Sequence, residues 1–138
     1  VAGMFEAKGV NWKDIPEGEP LFCASADGRG FAVSGGVAEA VVHAVKRIDP
    51  DREVKVMSAE GLQNCKKMLQ MAKIGKYDGY LLEGMACPGG CVAGAGTIQT
   101  VKKAAAALEK MKKEASFTES YDSEYKTRLE SLEKFDVE

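Results

Sequence analysis

Apolar residues along the 138-residue chain fall into alternating helical and strand-like spacings as far as about residue 100. Val1, Met4 and Phe5 stand at i, i+3 and i+4, so the chain opens in helical register. Pro16 to Pro20 is a loop, Leu21–Ala24 reads as a short strand, and Asp27-Gly28-Arg29-Gly30 reads as a turn. Ser34 is placed to cap a helix whose Val37, Ala40, Val41, Ala44, Val45 and Ile48 share one stripe, ended by Asp49-Pro50-Asp51. Glu53–Met57 alternates as a strand does. Ser58 or Glu60 then opens a helix with Leu62, Cys65, Leu69 and Ala72 on its inner side and Gly75 at its end. Tyr77–Leu82 is a second buried strand. Strand, helix and strand at this spacing predict an α/β fold: a small, mainly parallel sheet with crossover helices.

The pattern changes after residue 100. All 15 glycines and all four prolines precede it, and 17 of the 38 residues that follow are charged. The chain therefore divides into an α/β lobe, 1–100, and a helical tail, 101–138. One tail helix carries Val101, Ala104, Ala105, Leu108 and Met111, and a last one carries Tyr121, Tyr125, Leu129 and Leu132. No apolar run approaches the roughly 20 residues of a membrane span. A formal net charge of -2 gives no broad footprint for nucleic acid. Four cysteines with one histidine do not make a disulfide scaffold, and no secretory leader is visible, so a reducing cytoplasm is expected. The opening inside a helix, without an initiator methionine, reads as a piece of a longer polypeptide.

The densest punctuation is Glu83-Gly84-Met85-Ala86-Cys87-Pro88-Gly89-Gly90-Cys91, which follows the second strand directly. Loops leaving a parallel strand lie at the carboxyl edge of the sheet, where α/β folds build their sites. Two thiols four residues apart among glycines suit a soft metal, because small neighbours let backbone N–H groups approach a cluster. The same residues also suit a tight turn with two packed cysteines. A zinc site would have to recruit Cys23, Cys65 or His43. A radical-cluster cysteine motif fails at Gly94, and no phosphate-binding fingerprint is present. His43 lies within a helix and reads as structural or exposed.

Glu83-x-Met85-Ala86-Cys87-Pro88-Gly89-Gly90-Cys91-Val92-x-Gly94-x-Gly96 resembles the third signature of the iron-only ([FeFe]) hydrogenases, at the end of their large-subunit catalytic domain. Upstream, Gly30-Phe31-x-x-Ser34-Gly35-Gly36-Val37-x-Glu39-Ala40 is similar to a second segment of that family, and Tyr121, Tyr125, Leu129 and Phe135 are loosely similar to its helical end. The resemblance implies an H-cluster, a 4Fe-4S cubane linked to a diiron centre. Cys87 would be a terminal cubane ligand and Cys91 would bridge cubane and diiron halves. Met85 and Phe31 would line the diiron pocket from two sides, with Ser34 and Gly35 beside the cofactor. Cys23 and Cys65 match no ligand. Ala32 stands where the family has glycine, and Ala93 to Ile98 depart from its usual glycine run, which implies a divergent branch. The family's first two signatures, with the remaining ligands and the relay cysteine, have no counterpart here. The expectation is thus the C-terminal portion of a hydrogenase catalytic domain, inactive alone and lacking an intact H-cluster. Its partners would be the preceding part of that domain and ferredoxin or a similar electron carrier, with neither nucleic acid nor membrane. The alternative is a hydrogenase-like protein that binds an iron–sulfur cluster or senses redox state without turnover.

Overall fold

A computed structural model describes residues 1–16, 18, 24–123 and 125–126. The chain opens with helix α1, Ala2–Ala7, and a 3₁₀ turn at Trp12–Asp14. Helices α2, Ala26–Gly30, and α3, Gly36–Ile48, lead into strand β1, Lys55–Glu60. Helix α4, Leu62–Lys73, connects it to strand β2, Tyr80–Met85. A 3₁₀ turn at Cys91–Ala93 then leads to helix α5, Val101–Lys113, and a last 3₁₀ turn at Ser120–Asp122.

The two strands pair in parallel, with Lys55 opposite Tyr80 and Glu60 opposite Met85. The α/β architecture with a helical C-terminal region is therefore as expected. Both strands lie two or three residues further along the chain than their apolar runs suggest. Gly79 turns at a φ of +76° and delays β2. At the other end, Glu60 and Glu83 join the strands, and their carboxylates hold the loops at the sheet's carboxyl edge.

Alternation sets the layers. Val56 and Ser58 line a cleft with Val42 of α3, and Leu81 and Glu83 line another with Val37 and Val41, so α3 covers one face. Gly84 on the other face lies against Cys65 and Met68 of α4, so close that an added Cβ would sit 3.2 Å from the Cys65 sulfur. Helix α5 packs on α2, where the Arg29 guanidinium donates to the Met111 carbonyl, and is tied to α3 by Lys112, which pairs with Glu39 at 3.1 Å.

Several local expectations are corrected. Asp27–Gly30 is not a turn but the body of α2, capped by Ser25, whose Oγ accepts from the Gly28 N–H at 2.9 Å. Ser34 does not cap α3; Gly35, at a φ of +90°, occupies the N-cap. The inner line of α4 is Cys65, Met68 and Ala72, while Leu62 and Leu69 face outward. On α3 the most buried apolar residue is Ala38, and Ile48 is 73% exposed. The two stripes slipped because a two-stranded sheet is narrow and covers only part of each helix. The 121–132 segment shows a 3₁₀ turn at its start. Tyr125 and Lys126 are helical as expected; from residue 127 on that expected helix, with Leu129 and Leu132, lies outside the described residues, as do Phe135, Cys23 and most of the expected Leu21–Ala24 strand.

The 3₁₀ turn at Ser120–Asp122 is clamped onto α3 by one guanidinium. Arg47 donates to Asp122 at 2.8 Å and Glu119 at 3.0 Å and stacks over Tyr121 at 5.4 Å. The hydrogen bond to Asp122, then that to Glu119, raises the Arg47 pKa above its ordinary value. A raised cationic pKa adds stability that is present below the unfolded value and lost only as pH rises through the folded one. Salt, not pH, is therefore the lever on this clamp across the neutral range.

Candidate functional site at the carboxyl edge of the sheet

Strand β2 delivers the chain into Ala86–Gly90 and the Cys91–Ala93 turn, so both motif cysteines leave the carboxyl end of a parallel strand. Cys87 is half-buried and Cys91 exposed, and both are free thiols. Neither is deep in an apolar core. Gly89 and Gly90 turn the loop at φ values of +94° and +95°, which side-chain-bearing residues rarely adopt.

The two sequence motifs meet here. The Ser34 N–H donates to the Gly89 carbonyl at 3.3 Å, and the Val92 N–H donates to the Ala32 carbonyl at 3.1 Å. Gly90 sits so tightly against this loop that an added Cβ would be 2.6 Å from the Ala32 oxygen and from the Ser34 nitrogen. The Ser34-Gly35-Gly36 turn thus shares the sheet's carboxyl edge with the cysteines, 54 positions of sequence between Phe31 and Met85 notwithstanding. Phe31 is 45% exposed and opens the first loop; Met85, half-buried, ends β2. Ala32 is accommodated in place of glycine, because no residue other than glycine adopts a positive φ among the described residues.

Two carboxylates anchor these loops, and pattern reading did not single out either for that role. Glu83, buried on β2, accepts from the Gly35 N–H through Oε2 and from the Val37 and Ala38 N–H groups through Oε1, both at 3.1 Å. Glu60, at the end of β1, accepts from the Gly89 N–H at 2.9 Å. The available signal was their position: acidic residues just beyond the apolar runs of the two strands.

Cys65 and His43 are engaged elsewhere. The Cys65 thiol lies 3.5 Å from the Ala59 carbonyl and 3.6 Å from that of Met85, beneath the sheet. His43 Nδ1 is 3.0 Å from both carboxylate oxygens of the buried Asp27, which ties α3 to α2. An open cleft of about 640 Å³ runs between α3, β1 and α5 beside Ser34, and neither motif cysteine lines it.

The model for the iron only hydrogenase large subunit, C-terminal domain, matches residues 1–95. The chain belongs to that family. A relative, the periplasmic [Fe] hydrogenase large subunit of Nitratidesulfovibrio vulgaris, is 30% identical over 125 residues, covering 70% of this chain. The chain spans 30% of that relative's length.

An iron–sulfur cluster is the group the hydrogenase family implies, and the donors fit it in kind but not in number. Two soft thiols stand on an open, glycine-rich edge, which suits iron and sulfide. Among the described residues a cubane in four-thiolate coordination is not completed, since the third described thiol, Cys65, is tied beneath the sheet. Among the described residues no group of three or more His, Cys, Asp or Glu side chains is arranged to hold a metal ion. None of the described helices is long and apolar enough to cross a membrane.

Proposed function

We propose that this chain is the part of an [FeFe]-hydrogenase catalytic domain that supplies two of the H-cluster thiolates, and that it turns over no hydrogen by itself. The observation that carries the reading is the junction of its two family motifs at one sheet edge: the loop of Cys87 and Cys91 is hydrogen-bonded to the loop of Phe31 and Ser34. In this reading Cys87 and Cys91 would both hold the cluster, Cys87 as a ligand of the cubane and Cys91 as the thiol nearest the diiron half. Met85 and Phe31 line the reacting pocket, and Ser34 and Gly35 border the cofactor. When bound, the cluster supplies the redox chemistry that joins two protons and two electrons into hydrogen, or the reverse. What the residues of this chain do is hold two thiols, four residues apart in sequence, on an edge whose glycines leave room for a bulky inorganic group.

The missing ligands belong, in this proposal, to the remainder of the catalytic domain. Apolar surface supports that partner: Leu62, Ile74 and Ile98 are 74%, 75% and 91% exposed, a state that association would relieve. Ferredoxin or a similar carrier is the proposed electron partner of the whole protein. The cytoplasm is the proposed compartment from the free thiols, although the relative's name places it in the periplasm. The division at residue 100 is proposed as well, and the family match ending at residue 95 supports it.

Anaerobic reconstitution with iron and sulfide, followed by iron analysis and a hydrogen assay, tests the reading. The chain alone is expected to hold less than one cubane and to evolve no hydrogen. Co-refolding with the preceding part of the domain, with the diiron half and a low-potential reductant also supplied, is expected to restore both, and Cys91→Ala to abolish hydrogen evolution. A stoichiometric cubane with turnover on residues 1–138 alone would overturn it.

A further inference from the structure

We infer that Glu83 is a positioning residue: its carboxylate sets the register of the Phe31–Gly35 loop against the Cys87–Cys91 loop. An α-helix leaves its first backbone N–H groups without partners inside the helix, and a neighbouring Ser, Thr, Asp or Asn usually supplies the acceptor. Ser34 stands beside the start of α3, yet α3 has no side-chain cap from its N-cap residue. The acceptor comes instead from Glu83, 45 to 48 residues further along the chain. A local cap fixes only the helix. A cap supplied by β2 fixes the helix to the strand that ends in the motif cysteines.

The rest of the circuit is closed by named bonds. From Gly35 the chain runs back one residue to Ser34, whose N–H holds the Gly89 carbonyl. The Gly89 N–H is held by Glu60, which stands opposite Met85 in the sheet. Glu83, α3, the first loop, the second loop, Glu60 and the sheet thus form one ring of contacts around the site. Within this ring Glu83 accepts three bonds from three amides, and its negative charge matches the positive end of α3. Such a carboxylate is engaged in holding backbone and is not placed as a general acid or base. The inference rests on the proposed function only for what the site holds; the register requires no iron.

Amide hydrogen exchange and thiol alkylation on the metal-free 138-residue chain test it. In the wild type the Val37 and Ala38 amides are expected to exchange as slowly as those of β2. In Glu83→Gln one side of the group becomes an N–H₂ that opposes a backbone N–H. Exchange at Gly35, Val37 and Ala38 is then expected to rise about tenfold or more, the scale of one lost charge-assisted bond. Ser34 and Val92 amides and iodoacetamide labelling of Cys87 are expected to rise with them, while Cys65 and the β1 amides do not change. Glu60→Gln is expected to release Gly89 and leave Val37 and Ala38 slow. Fast wild-type exchange at Val37 and Ala38 would overturn the inference. So would a Glu83→Gln change confined to α3, which makes Glu83 an ordinary cap, or one spread equally to β1 and Cys65, which makes it a support of the whole fold. Should Glu83→Gln not fold, the wild-type and Glu60→Gln arms still decide. Failure to bind iron would sink the proposed function and leave these readouts intact.

Discussion

Gly35 and Gly90 both sit at a φ near +90°, and they separate two reasons a position demands glycine. At Gly35 an added Cβ would meet nothing within 4 Å, so only the backbone conformation resists substitution. At Gly90 the Cβ would also run into the backbone of Ala32 and Ser34, which has nowhere to move without breaking the junction between loops. Gly35→Ala is expected to cost about 1 kcal/mol, the scale of a non-glycine residue held in a left-handed conformation. Gly90→Ala is expected to cost at least about 2 kcal/mol, because overpacking adds to strain. Urea unfolding measures both, and equal costs would show that the close approach at Gly90 is not tight. The family's paired glycine before the second cysteine is thus a statement about the neighbouring loop as much as about its own turn.

At the scale of elements, α4 shows how a helix bound to a narrow sheet spends its apolar residues. Met68, 5% exposed, is the side chain that seals α4 to β2, where it meets Gly84. Leu69 on the next position is 59% exposed. Met68→Ala is therefore expected to destabilise the chain by about 2–4 kcal/mol, and Leu69→Gln by less than about 0.5 kcal/mol. Thermal or urea unfolding checks the pair, and the reverse order would place the helix on its other face. The sequence stripe through Leu62, Cys65, Leu69 and Ala72 counted all four apolar positions as inner. Hydrophobic periodicity gives the direction of a helix face but not its width, and the width is set by what lies beneath it.

At the scale of the whole molecule, the described residues bury little. Ala38, Ala59 and Met68 are the buried apolar residues among those described, and no large side chain is fully enclosed. This is a thinner core than the helical stripes suggested, since a domain of this size ordinarily buries about 70% of its unfolded surface. The apolar residues left outside, Ile98 and Ile74 foremost, are expected to bind a hydrophobic fluorescent dye in the isolated chain. Dye fluorescence is expected to fall on addition of the part of the catalytic domain proposed above as its partner. No change on addition would mean that the exposed residues are not the surface where the domain is completed.

The sequence by itself determined the parallel strand–helix–strand unit, because period-2 and period-3.6 spacing and the glycines between them are local properties. It also carried the family, since the Cys87–Cys91 loop is a contiguous string whose residues are needed side by side. Strand ends, the inner faces of α3 and α4, and the helical state of Asp27–Gly30 were decided by packing. Above all, tertiary structure decided how the site is held. In sequence Glu60 reads as a possible start of the next helix, Glu83 as the first residue of the cysteine motif, and Ser34 as the cap of α3. Only the fold brings Glu83 within reach of Val37 and Ala38, and Glu60 within reach of Gly89. A hydrogen bond across 29 residues, or across 45, leaves no local period in the chain, so it becomes visible only when the strands are in register.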